Sequence, residues 1–128
     1  MKIDISTGEL VDKVTILAIK LEKFKDEVKK ANVKNEFVIL TVPMNSAGIF
    51  IDSKEFKDLK KVNLKLWHIE DDIRIKESRK EFDKEFIELA RSVYFINDDR
   101  AKIKKDINLK FNSELVEEKE YVDYKNKQ

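Results

Sequence analysis

"VYFINDDRAKIKKDIN", residues 93–108, carries apolar side chains at Val93, Ile96, Ile103 and Ile107. That is the three- and four-residue spacing of a helix with one buried face. Arg100 interrupts the stripe. At about 100° per residue it falls inside the arc where a leucine belongs, with Asn97 and Lys104 at the arc's edge and Asn108 on the same flank. The helix holding this stretch is expected over 84–111. Phe86, Leu89 and Phe111 lengthen its stripe and Asp83 caps its start. A polar line therefore runs through an apolar face, and both fold and function depend on what meets it.

The stretch 54–79 shows the same irregularity with the opposite sign. Phe56, Leu59, Val62, Leu66, Ile69 and Ile73 form its stripe, with Trp67 on the edge and Ser53 as cap. Glu70 lies on the wheel between Leu66 and Trp67, and Arg74 and Glu77 follow one turn on. Burying either charge alone costs several kcal/mol. The economical expectation is that Glu70 meets Arg100, with Asn97 and Arg74 extending the contact. Such a network can serve only to fix helix register. It can also line a cleft in which Arg100 and Lys104 receive an anionic small molecule, with Glu70 and Asn97 as orienters or Glu70 as a general acid or base.

Upstream, Ser6 and Glu9 in "STGEL" form a capping box. Leu10, Val14, Leu17, Leu21, Phe24 and Val28 continue as one stripe, predicting a helix to about residue 29. Ile16 and Ile19 lie off that stripe. They call for a second packing partner, another helix or another subunit, so a homodimer is expected. Residues 32–53 are ambiguous. A short helix over 32–41 and a loop after it is the first reading, because Pro43 and "NSAG" signal a turn. A small hairpin pairing "FVILTV" with "GIFID" is the alternative.

Composition bounds the rest. The chain has 128 residues, 41% of them hydrophobic and 41% charged, with two glycines and one proline. This describes an all-α, antiparallel bundle of long helices with one irregular loop or hairpin around 41–53. No repeat or low-complexity linker divides it, so residues 1–121 form one domain and 122–128 a frayed tail. The net charge is +1, which exerts no global pull on nucleic acid or membrane, and neither partner is expected. With no cysteine and one histidine, His68, thiolate and multi-histidine metal sites are excluded, and no metal or cofactor is expected. No apolar run reaches the roughly 20 residues of a membrane span. "MKIDISTGEL" lacks a signal-peptide core, so a cytoplasmic location is expected. His68 lies off its helix's apolar arc and reads as surface. Glu9 and Asp12, one turn apart, could hold Mg²⁺, but acids near a helix start are explained by its dipole.

Four blocks in order carry a family resemblance. They are "STGELVDKVTIL", "LWHIEDDIR", "FIELARSVYFINDDRAKIKKDIN" and "SELVEEKEY". Together they resemble the signatures of a small bacterial family of unknown function, over most of the chain except 35–60. The resemblance implies an all-helical cytoplasmic domain. It marks Glu9, Asp12, Glu70, Arg74, Asn97, Arg100 and Lys104 among its shared polar positions, without a proven chemistry.

Two enzyme classes share parts of the pattern. Helical chorismate mutases place cations and a carboxylate in a bundle core, but no arginine stands on the first helix here. Helical Mg²⁺-dependent nucleotide pyrophosphohydrolases pair Glu-x-x-Glu with a later Glu-x-x-Asp. Glu85 and Glu88 supply the first pair, and the second does not follow at the expected distance. The leading expectation is a helical binding or interaction module with a buried polar seam. The alternative is an enzyme acting on a small anionic metabolite or nucleotide.

Overall fold

The first helix starts where Ser6 Oγ accepts the Glu9 N–H at 3.1 Å, the acceptor that an exposed helix start requires. In a computed structural model describing residues 1–125, four helices follow one another: α1 (Thr7–Lys23), α2 (Glu27–Ser46), α3 (Lys54–Ser78) and α4 (Lys84–Lys110). The fold is all-α, and among the described residues there is no strand. None of these helices is long and apolar enough to cross a membrane.

The second helix departs most from expectation. Asp26 accepts the Lys29 N–H at 2.9 Å, so a new helix begins there and α1 ends at Lys23 rather than near 29. Val28 consequently belongs to α2 and lies exposed. Instead of stopping at 41 or turning into a hairpin, α2 runs through Pro43 to Ser46. A proline inside a helix costs about 3 kcal/mol. Val33, Phe37, Leu40 and Met44, at four- and three-residue spacing, pack towards the core, and Met44 is fully buried. Each such side chain contributes roughly 1.5–3 kcal/mol on burial, so the buried face outweighs the proline. Gly48, at φ +93°, then turns the chain so that Ile49 re-enters the core. Ser53 stands at the cap of α3 without a side-chain cap bond. Its Oγ instead accepts the Phe50 N–H at 2.8 Å.

Packing is arranged around α1, which meets all three other helices, whereas α2 packs on α1 alone. This explains the two apolar sides of α1, since Ile19 is buried within the single chain. Val11, Val14, Met44, Ile49, Phe56, Leu59 and Ile107 form the core. The hairpin of α3 and α4 is clipped at its turn by Lys76, which reaches Asp83 at 2.8 Å and Glu81 and Glu85 at 3.3 Å. Residues 126–128 of the expected tail lie outside the described part. Tyr124, within that same stretch, packs edge-on against Tyr94 and Phe95.

Helices α1 and α4 approach closely at Gly8. Its N–H donates to Asn108 Oδ1 at 2.6 Å, which brings α1 onto the end of α4. A Cβ there would overlap the Lys104 carbonyl oxygen and stand 3.0 Å from Asn108 Oδ1. Backbone cannot yield as a flexible side chain does. Gly8→Ala is therefore expected to lower stability by about 1–3 kcal/mol in a denaturant melt, despite alanine's better helix propensity.

Candidate functional site: a polar seam between the first and last helices

Gly8, Asp12 and Thr15 follow one another at four- and three-residue spacing on α1, so they share a line along the helix. Asn97, Arg100, Lys104 and Asn108 form the corresponding line on α4. The antiparallel crossing sets one line on the other.

At the centre stands Asp12, whose side chain is 1% exposed. Arg100 Nε donates to its Oδ1 at 3.0 Å, and Arg100 Nη2 donates to its Oδ2. This is the forked geometry in which a guanidinium matches a carboxylate. Asn63 from α3 donates to Oδ1 at 2.8 Å and to Thr15 Oγ1 at 2.8 Å, while the Thr15 hydroxyl donates to the Asp12 carbonyl at 2.7 Å. Lys104, with a side chain 9% exposed, donates to Glu9 at 2.7 Å and to Glu117 at 3.4 Å, and lies 3.9 Å from Asp12. Further along, Thr7 N–H donates to Ser113 Oγ at 2.9 Å. The seam thus ties α1, α3, α4 and the segment after α4 together.

Burial pushes the Asp12 carboxyl up, but the hydrogen bonds from Arg100 and Asn63 and the charges of Arg100 and Lys104 outweigh it. The group is held below its ordinary 3.8. Burial pulls the Lys104 ammonium down, and Glu9, Asp12 and Glu117 together carry it above its ordinary 10.5. The hydrogen bond to Asp12 raises Arg100 as well. The signs are opposite for the two kinds of group. Asp12's contribution to stability is complete above pH 3.8 and is lost as pH falls through its lower folded value. That of Lys104 is complete below 10.5 and is lost as pH rises through its higher folded value.

Of the five residues singled out from sequence, Asn97, Arg100 and Lys104 come together, with Arg100 Nη1 donating to Asn97 Oδ1 at 3.4 Å. Glu70 and Arg74 do not join them. Both side chains are exposed, and neither makes an ion pair among the described residues. The carboxylate opposite Arg100 is Asp12 from α1, not Glu70 from α3. Glu9 and Asp12, read as helix-start acids, are the partners of Lys104 and Arg100. The available signals are Asn63, a polar residue between Leu59 and Leu66 on the core stripe, and the polar pair Asp12 and Thr15 one turn apart on the first helix. His68 is exposed, as expected. Among the described residues, no three His, Cys, Asp or Glu side chains are gathered as a metal site would require. Glu85 lies against Lys76 and Glu88 is exposed.

Beside the seam, α4 and the segment after it border an open cavity of about 410 Å³, lined by Asn97, Asp98, Arg100, Lys119 and three tyrosines, Tyr94, Tyr121 and Tyr124. Tyr124 closes one end by donating its hydroxyl to Asp98. Burial and the Asp98 carboxylate push that hydroxyl's pKa up to about 12. Glu117 is 3.4 Å from Lys119 as well as from Lys104. An adjoining space of about 270 Å³ is lined by Lys104, Lys105, Glu117 and Glu118. Its lysines already face Glu9, Glu117 and Glu118.

Arg100→Met removes the guanidinium from a buried carboxylate and is expected to cost about 3–5 kcal/mol. Combining it with Asp12→Leu should recover most of that loss. Glu70→Gln should change stability by less than about 0.5 kcal/mol. Urea denaturation of the four proteins, wild type included, measures all three.

The comparisons with known proteins add one match. No curated protein and no solved structure matches the chain. A family model described as a family of unknown function (DUF6165) matches residues 1–126. The chain belongs to that family.

Proposed function

We propose that the chain is a cytoplasmic, non-catalytic helical binding module. Its polar seam is a structural lock, and its ligand is a small anionic molecule with a planar part, held in the cavity beside the lock. The observation that carries this reading is the state of Arg100. Nε and Nη2 are committed to Asp12, whereas among the described residues Nη1 reaches only Asn97, at 3.4 Å, a long bond, and both side chains line the cavity. Three tyrosines on its wall offer ring faces and hydroxyls, and Lys119 supplies a second cation. The volume falls within the range of about 300–1,000 Å³ usual for small-molecule sites.

Charge balance favours exchange over simple addition. Asp12, Glu9 and Glu117 already oppose Arg100, Lys104 and Lys119, and Asp98 on the cavity wall faces Lys125 and the Tyr124 hydroxyl. Glu117 is the loosest member, with a side chain 42% exposed and both its cations at 3.4 Å. An incoming anion would take its place on Lys119 while Glu117 swings into water. Acid–base catalysis is disfavoured on the same grounds. A general acid or base works best with a pKa near the working pH, and the seam drives Asp12 down and Lys104 up, away from neutrality.

Calorimetric titration with phenyl phosphate, benzoate and a mononucleotide tests the reading. At least one should bind with Kd at or below about 1 mM, roughly −4 kcal/mol. Glu117→Gln should tighten that binding several-fold by removing the competing carboxylate. Lys119→Ala and Tyr121→Ala should each weaken it. Absence of binding by all three probes to the wild type, or unchanged affinity in all three variants, contradicts the proposal.

A further inference from the structure

Residues 37–51, "FVILTVPMNSAGIFI", contain no Asp, Glu, Lys or Arg, in a chain that is 41% charged. Elsewhere no uncharged run exceeds six residues. Phe37, Leu40, Met44 and Ile49 of this stretch face the core. Its other apolar side chains face outwards: Val38, Ile39, Val42, Phe50 and Ile51 are 47–64% exposed.

The outward side of α2 has a pattern of its own. Val28, Ala31, Asn35, Val38 and Val42 recur at spacings of three and four, and all are exposed. On the wheel they centre half a turn from the buried line of Val33, Phe37, Leu40 and Met44. With α1 as its only helix neighbour among the described residues, α2 thus carries two seams and uses one. The unused seam has β-branched valines at three of its five positions and one asparagine at its middle. That is the composition of a two-stranded helix contact, where a lone asparagine fixes register.

We infer that this face binds a second copy of the chain, α2 against α2, with Asn35 at or beside a two-fold axis. Charge singles out this occupant. Near a two-fold axis each residue meets its own copy, so a lysine or glutamate there opposes like charge. Most of this chain's surface would meet that penalty, and the five seam residues, all uncharged, do not. Asn35 suits the axis because an amide both donates and accepts, and two copies satisfy each other. Phe50 and Ile51 extend the apolar patch past the end of α2. This face is separate from the ligand cavity, and the inference stands independently of the proposed function.

Sedimentation velocity of the full chain tests it. The wild type should exchange between monomer and dimer within about 1–100 µM. Val38→Glu with Val42→Glu should sediment as a monomer throughout, with unchanged helical circular dichroism. Because the chain has no cysteine, Asn35→Cys gives a second reading that does not depend on the first variant's folding. Mild oxidation should link it into dimers, while Ile87→Cys, at an exposed site on α4, should stay single. Three outcomes overturn the inference: a wild type that is monomeric at 100 µM, a dimer that survives the paired substitutions, or cross-linking at 87 as fast as at 35.

Discussion

Asp12 and Arg100 stand 88 residues apart in the chain and share a forked pair of hydrogen bonds inside it. A carboxylate taken out of water must have its charge met, at a desolvation cost of several kcal/mol, and few geometries meet it as fully as a guanidinium edge. The pair therefore accepts few alternatives. A rotation of α4 by one residue, about 100°, would carry Arg100 off the Asp12 oxygens and leave both charges stranded. Apolar contacts tolerate such slips more readily. The core supplies the drive to collapse, and the pair selects which collapsed arrangement persists. This agrees with the general finding that buried ion pairs add little net stability over apolar residues of equal volume.

Other features of the fold lead to this contact. Gly8 lacks a side chain where α1 crosses α4, so the helices approach closely enough for Asp12 and Arg100 to meet in register. Asn63 fixes the carboxylate from the α3 side, and Thr15 takes the second donor of that amide. Lys104 extends the seam to Glu117, which brings the segment after α4 back along the helix, and Asp98 holds Tyr124 further on. The cavity lies in the space that segment spans. One polar line on α4 thus positions both the first helix and the wall of the proposed ligand site.

Much of the fold was legible because the signals were local. The stripes of α1, α3 and α4 and the caps at Ser6 and Asp83 are contained within a few residues each, and the inward position of Arg100 followed from helix phase alone. Its partner did not. Glu70 lies inside its helix's apolar arc, but no residue of α3 beyond Leu66 is buried, so that turn leaves Glu70 in solvent. Which of several carboxylates faces Arg100 is set by how three helices cross, which no single wheel contains. The end of α1 is masked in the sequence because Phe24 and Val28 continue its stripe by coincidence of spacing, while the Asp26 cap starts a new helix between them. Pro43 signals a stop because its local penalty is visible in sequence. The burial of Met44 and Ile49 that offsets it is tertiary.

The central claim is that Asp12 is an ionised partner of Arg100 in the folded interior. Following the Asp12 side-chain carboxyl by ¹³C NMR through an acid titration of the folded protein tests this most directly. The midpoint should fall below the ordinary carboxyl value of 3.8. A midpoint at or above that value would mean that burial outweighs pairing, and the lock between the first and last helices would not exist as described.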